Sequence, residues 1–177
     1  MGKLTPYLDA EAIDAAVRRL AMELDRDYAG RPPVLVGVLK GGFIFLADLV
    51  RRMQVSVLSV EFIRLSSYGE NTISSGNPTI VVGLPDESVQ NQHLVVVEDI
   101  VDTGLTTAAT LEYLGKMKPA SIRLCVLLDK PARRQASTAI DYLGFTVPDR
   151  FLVGYGLDLD QRYRQLPGIY ILNQEPS

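Results

Sequence analysis

The chain has 177 residues, of which 47% are apolar and 22% charged, enough for one domain with a core and too short for two ordinary domains joined by a linker. No apolar run approaches the ~20 residues that span a bilayer, because Asp48 interrupts the richest stretch, 43–50, so no membrane partner is expected. A net charge of −3 argues against a broad basic stripe for nucleic acid, lone Cys125 forbids an internal disulfide, and lone His93 forbids a multi-histidine metal site.

The first eleven residues contain Asp9 and Glu11 and no apolar h-region, so they do not read as a secretory signal, and the cytoplasm is the expected location. Asp9 is positioned to cap a helix whose apolar residues Ile13, Ala16, Val17, Leu20, Ala21 and Leu24 follow helical spacing and which ends before Gly30. Residues 33–39 read as a buried strand. After Lys40-Gly41-Gly42, the spacing of Phe43, Leu46, Ala47 and Val50 predicts a second helix with those four on its inner face. Residues 55–63 are β-rich, and 66–78 are small and polar, as expected of a long mobile loop. Strand character returns at 79–82 and again at 94–97, where it runs into Glu98-Asp99. A helix is expected over about 106–117, with Ala108, Leu111 and Leu114 inward and Lys118-Pro119 ending it. Residues 121–128 form the next strand, and weaker strand signals at 142–147, 151–155 and 169–172 suit an edge or a small lid. The alternation of strands and helices predicts one α/β domain with a mostly parallel sheet, and the basic pairs Arg18-Arg19, Arg51-Arg52 and Arg133-Arg134 read as solvated faces.

Chemistry concentrates in Glu98-Asp99-Ile100-Val101-Asp102-Thr103-Gly104-Leu105-Thr106. Ligands of open parallel sheets bind beyond the carboxyl ends of strands, which is where this run puts acids, a glycine and hydroxyls. The turn 102–106 leads into a helix amino terminus, whose free N–H groups and dipole suit a phosphate, while Glu98 and Asp99 suit ribose hydroxyls or Mg²⁺. Two other glycine patterns fall short: 37–42 has Walker-like spacing but Phe43 in place of the lysine, and Gly154/Gly156 begin a dinucleotide pattern that fails at Leu159.

The run 96–104 resembles the phosphoribosyl pyrophosphate signature of the type I phosphoribosyltransferases, and within them the hypoxanthine-guanine group. The likeness continues in order through Leu39-Lys40-Gly41-Gly42, Ser66-Ser67-Tyr68-Gly69, Asp129-Lys130-Pro131 and Pro148-Asp149-Arg150-Phe151-Leu152-Val153-Gly154-Tyr155, with Asp158 and Arg164 beyond. It implies the type I fold, a mostly parallel central sheet flanked by helices with a small hood or lid, as one domain over 1–177, with 66–78 as a mobile active-site loop and 140–177 partly hood and base-binding region. Asp102, Thr103, Gly104, Leu105 and Thr106 would hold the 5′-phosphate, Glu98 and Asp99 the ribose hydroxyls, and Asp102 would exchange a proton with purine N7 as general acid/base. Lys40, Gly41 and Arg164 would hold pyrophosphate, with a non-proline cis peptide in the Lys40-Gly41 loop. Lys130, Phe151 and the backbone of Leu152 would meet the purine, Ser67 and Tyr68 would belong to the lid, and Glu98, Asp99 and Asp158 are the metal candidates. The implied activity is Mg²⁺-dependent purine salvage, hypoxanthine and/or guanine plus phosphoribosyl pyrophosphate giving IMP or GMP and pyrophosphate, in a homodimer or homotetramer.

Each residue also has a plainer reading: Lys130 a surface lysine, Phe151 core, Asp158 and Arg164 a surface ion pair, Asp102 or Thr103 a helix cap. Two other functions remain open on sequence: an RNA-binding regulator on the same fold, disfavoured by the acidic charge, and a phosphohydrolase or receiver-like domain using Asp99 or Asp102 as phosphoacceptor.

Overall fold

The protein is described here by a computed structural model covering residues 3–66 and 79–173. In chain order the elements are β1 (Lys3–Leu8), α1 (Ala10–Asp27), β2 (Val34–Leu39), α2 (Phe43–Val50), β3 (Ser59–Ser66), β4 (Thr79–Val82), β5 (His93–Val101), α3 (Leu105–Lys116), β6 (Ser121–Asp129), β7 (Tyr142–Thr146), β8 (Leu152–Val153) and β9 (Ile169–Asn173). Residues 67–78, and with them the lid residues Ser67 and Tyr68, lie outside the described residues. No helix among the described residues is long and apolar enough to cross a membrane.

The main sheet has the order β4-β3-β2-β5-β6-β7, parallel throughout except for β4, which runs antiparallel to β3 at one edge. β2 pairs with both β3 and β5, so the chain reverses its direction of travel across the sheet between β2 and β5. That is the topological switch point, where the loops leaving neighbouring strands part and open a crevice. A second sheet, β1-β9-β8, is antiparallel.

α1 follows its sequence pattern: the Asp9 carboxylate accepts from the Ala12 N–H at 2.8 Å, and the six residues spaced for burial are the six that are buried. α2 does not. Phe45, Leu46 and Leu49 face inward, while Phe43 and Ala47 are exposed, because Leu46 and the β3 ring of Phe62 close over the bare Cα of Gly37 and set the rotation of the helix. α3 differs too. Its fully buried positions are Thr107, Thr110 and Leu114, with Ala108 and Leu111 half-buried, since Thr107 turns toward Glu98 and the Thr110 hydroxyl bonds the Thr106 carbonyl at 2.9 Å. The β-rich stretch 55–63 becomes strand only from Ser59; Val55 and Val57 pack against the core from a loop. The strand expected at 94–97 continues to Val101, carrying Glu98 and Asp99 within the sheet rather than beyond it. His93 is structural, with Nδ1 2.8 Å from the Ser121 hydroxyl and its ring edge-on to Tyr28.

Candidate active site

β2, β5 and β6 end along the same edge of the sheet, and the candidate residues gather there in two groups on either side of the end of β5.

The first group is built on the turn after β5. Gly104 takes φ +80°, and a methyl group there would come within 2.6 Å of the Ala136 carbonyl, so the position requires glycine for both conformation and space. The turn is strapped from behind by 130–136: the N–H groups of Gln135 and Ala136 donate to the Thr103 carbonyl, and the Lys130 N–H donates to the Val101 carbonyl. Arg134 donates to the carbonyls of Asp102 and Val101 at 3.1 and 3.3 Å while paired with Asp129, so this half of the Arg133-Arg134 pair is an internal brace and not a solvated residue. α3 then starts at Leu105, presenting its first-turn N–H groups at the mouth of the turn, where the Leu105 N–H donates to the Thr103 hydroxyl at 3.4 Å.

Lys130 is 6% exposed, which excludes the surface-lysine reading. Its ammonium lies 3.2 Å from Asp102 Oδ2 and 3.3 Å from the Arg150 carbonyl. Arg133 approaches the same Asp102 oxygen at 3.6 Å, whereas Asp102 Oδ1 is buried and has no hydrogen-bond partner among the described residues. Lys130 also lines a cavity of about 370 Å³ together with Arg133, Asp149, Arg150, Phe151 and the C-terminal strand residues 171–173. Phe151 is 42% exposed, an aromatic ring left open to solvent rather than core, while the next residue, Leu152, is buried in the core and does not line the cavity. A flat ring and a buried cation lining such a cavity, with the Asp102 carboxylate held against that cation, suit a planar heterocycle that accepts a hydrogen bond.

The second group lies across the switch point. The Leu39–Lys40 peptide is cis, one bond before the Lys40-Gly41 link that the family resemblance puts in the loop, and Gly41 follows with the Asp99 carboxylate pressed against its Cα. Gly156 packs on the Gly41 carbonyl from the other side; a methyl group at Gly156 would sit 2.2 Å from that oxygen. Arg164 donates to the Gly156 carbonyl at 2.6 Å and pairs with Asp158 at 2.8 Å. Gln161, which no sequence signal marked, accepts from both Lys40 and Arg164 at 3.2 Å, and its own N–H donates to Asp158. The ion pair between Asp158 and Arg164 is therefore real, but it stands at the mouth of the crevice, half-buried beside Lys40. Two cations converging on a glycine backbone make a site for a polyanion.

Glu98 and Asp99 are not brought together. Successive strand residues point to opposite faces, and the two carboxylates follow that rule: Asp99 goes to Gly41 and the crevice, Glu98 to α3, where it accepts from the Thr107 hydroxyl at 2.7 Å. Burial pushes the Glu98 carboxyl up to about 8, with the Thr107 hydrogen bond opposing, and burial likewise pushes Asp99 up to about 6, against hydrogen bonds from the backbone N–H groups of Asp99 and Ile100.

The model of the phosphoribosyl transferase domain matches residues 4–160. The hypoxanthine-guanine phosphoribosyltransferase of Aquifex aeolicus is 46% identical over 171 residues, 96% of this chain and 95% of its own; that of Bacillus subtilis is 42% identical, covering 93% and 91%. The bifunctional protein TilS/HprT of Listeria monocytogenes is 42% identical over 95% of this chain, which spans 26% of that relative's length. Among solved structures, a hypoxanthine-guanine phosphoribosyltransferase from Bacillus anthracis with a HEPES molecule in its active site matches with a TM-score of 0.88 at 36% identity, covering 97% of this chain and 99% of that one. In sequence and in fold alike, the chain belongs to the phosphoribosyltransferase family.

Proposed function

We propose that the chain is a Mg²⁺-dependent purine salvage phosphoribosyltransferase that joins hypoxanthine and/or guanine to phosphoribosyl pyrophosphate, giving IMP or GMP and pyrophosphate. The observation that carries this reading is the Lys130–Asp102 pair, 3.2 Å apart, which links the phosphate-type turn to the cavity bearing Phe151 and leaves the second Asp102 oxygen unpartnered.

In this reading the turn 102–106 takes the 5′-phosphate on the first N–H groups of α3 and the hydroxyls of Thr103 and Thr106. The purine enters the 370 Å³ cavity, stacked on Phe151, with its 6-oxo group accepting from the Lys130 ammonium; the backbone of Leu152, next in the chain to Phe151, would meet its 2-position. As N9 bonds to C1 of the ribose and the C1–O bond to pyrophosphate breaks, N7 releases its proton to Asp102, whose unpartnered oxygen is the acceptor. The Lys130 ammonium, 3.2 Å from the other oxygen, holds the carboxylate in place beside the base. Lys40, the Gly41 backbone and Arg164 take the charge of the departing pyrophosphate.

The donor set fits Mg²⁺ held partly by substrate. Asp99 and Asp158 flank the pyrophosphate side, and no three His, Cys, Asp or Glu side chains form a closed metal site among the described residues; Mg²⁺ is ordinarily bound by one or two carboxylates plus phosphate oxygens and water. When bound, the ion supplies positive charge to the leaving group. Asp99 would serve the ribose hydroxyls and the ion directly, with Glu98 supporting from the opposite face by holding Thr107 and the start of α3. The proposal takes 1–177 as one domain, with β1, β8 and β9 as the hood, Ser67 and Tyr68 as part of a closing segment over 66–78, and a homodimer or homotetramer as the working unit. The exposed apolar side chains Phe43, Leu58, Val60 and Phe62 support self-association.

The test follows nucleotide formation from phosphoribosyl pyrophosphate and Mg²⁺ with hypoxanthine, guanine, xanthine, adenine and uracil in parallel. Turnover confined to 6-oxopurines is the expected result. Turnover only with adenine or uracil, or with no base, refutes the proposal.

A further inference from the structure

A second cavity, of about 420 Å³, opens on the far side of the pyrophosphate group between α1, α2 and residues 165–167, and its walls include Asp14, Asp48, Arg52 and Tyr155. Those four form one chain of contacts. The Tyr155 hydroxyl donates to Asp48 Oδ2 at 2.6 Å, the other Asp48 oxygen pairs with Arg51 and lies 3.4 Å from Arg52, and Arg52 bonds Asp14 of α1. The second arginine of the Arg51-Arg52 pair is therefore a tie between two helices, not part of a solvated face.

Tyr155 is held in an uncommon backbone conformation, φ +47°, which a bulky residue adopts only when its surroundings impose it. Its N–H donates to the Leu166 carbonyl at 2.9 Å and its ring is 7% exposed within the core of α1 and α2. The residue that follows is Gly156, packed on the Gly41 carbonyl and joined to Arg164 in both directions: Gly156 N–H to Arg164 O at 3.0 Å and Arg164 Nη1 to Gly156 O at 2.6 Å. Asp48 sits on α2, the helix that begins two residues after Gly41. The Tyr155–Asp48 hydrogen bond thus joins the two pieces of backbone that meet at the pyrophosphate group, from a point where neither side chain reaches it.

We propose that this hydrogen bond is a latch that fixes the Lys40-Gly41 loop in register with Gly156 and Arg164, setting affinity for the pyrophosphate group while leaving purine recognition untouched. The inference rests on the phosphoribosyl transfer proposed above. Tyr155 is a positioning residue: it acts through Gly156 and α2. Burial, reinforced by the Asp48 carboxylate, holds the phenol well above its ordinary range, so it remains the donor. Burial works against the Asp48 charge, but the Tyr155 hydroxyl and Arg51 outweigh it and keep the carboxylate ionised.

Tyr155→Phe retains the ring and removes the donor. Steady-state kinetics with each substrate varied in turn, and calorimetric titration with inorganic pyrophosphate and Mg²⁺, are compared for wild type, Tyr155→Phe, Asp48→Asn and Ile13→Val. The last trims a core side chain in the wall of the same cavity and reports what loss of stability alone does. The latch predicts that KM for phosphoribosyl pyrophosphate and Kd for pyrophosphate rise roughly tenfold or more in Tyr155→Phe, as expected for a lost hydrogen bond to a charged group. It also predicts that KM for the purine stays within about twofold and that Ile13→Val leaves all three constants within about twofold. Unchanged pyrophosphate affinity in Tyr155→Phe overturns it, as does equal weakening of purine and pyrophosphate, or the same split in Ile13→Val. If wild type turns over no base, the reaction is refuted separately, and the pyrophosphate titration still decides the latch.

Discussion

Gly41→Ala separates damage to the site from damage to the fold. A methyl group built on Gly41 would lie 1.7 Å from Asp99 Oδ2, 2.5 Å from its Cγ and 2.8 Å from Oδ1. Ordinary contact begins at 3.4 Å, so the carboxylate must retreat by about 1.7 Å. What has to move is the end of a side chain, and an off-rotamer shift of that kind costs about 1 kcal/mol, or roughly 2–4 °C in Tm for a chain of this size. The same displacement removes Asp99 from the crevice, and an error of about 1 Å in a reacting geometry is worth on the order of a hundredfold in rate. Gly156→Ala is the informative contrast: its methyl group would meet a backbone oxygen at 2.2 Å, at a position with φ +99°, so nothing can yield cheaply and stability falls with activity. The assay pairs thermal unfolding by circular dichroism with kcat/KM for phosphoribosyl pyrophosphate. Gly41→Ala should lose about two orders of magnitude in kcat/KM with Tm nearly intact. Wild-type kcat/KM, or a fall in Tm as large as that of Gly156→Ala, would refute the packing of Asp99 on Gly41.

Asp102→Asn keeps the shape and removes the proton acceptor; kcat should fall by about 10²–10⁴ while phosphoribosyl pyrophosphate binding by calorimetry stays close to wild type, and unchanged kcat would exclude Asp102 as the base. Lys130→Gln should raise KM for the purine by about tenfold or more and leave the pyrophosphate Kd alone, because Lys130 lines the purine cavity and contacts none of Lys40, Gly41 and Arg164. In metal-free protein, the Glu98 carboxyl titrates near 8 when folded against an ordinary 4.5, so the folded state binds the proton more tightly and stability is lost as pH rises from about 4.5 to 8. Glu98→Gln still accepts from Thr107 and should flatten that decline in Tm against pH; a decline as steep as wild type would rule out Glu98 as its source. Asp9→Ala removes the α1 cap and should cost about 1 kcal/mol in denaturant unfolding with no change in kcat, and an unchanged midpoint would argue against the cap.

Where a reading of local periodicity held, it did so because a helix or a buried strand repeats its environment every few residues. The six apolar positions of α1, the Asp9 cap and the continuous apolar run of β5 are of this kind. The turn at Asp102-Thr103-Gly104 was legible for a related reason: glycine at φ +80° and hydroxyls at a helix start are chemical requirements of the backbone itself. The opposed directions of Glu98 and Asp99 could also have been read from strand alternation, once β5 was known to run on through both.

Tertiary structure decided what depends on partners far away in the chain. β1 carries no clear pattern, its exposed alternation broken by Pro6, and it is a strand because β9, more than 160 residues on, pairs with it. The inward face of α2 was set by Gly37 and Phe62 rather than by the helix's own apolar spacing. Gln161, Arg134 and the Tyr155–Asp48 bond have no local signature, because a polar side chain acquires its role from whichever group the fold sets opposite it. The sequence by itself determined which residue types stand at the strand ends. Only folding brought Lys130 to Asp102 and Gly156 to Gly41, since the first contact joins the ends of two neighbouring strands, β5 and β6, and the second spans the two sheets.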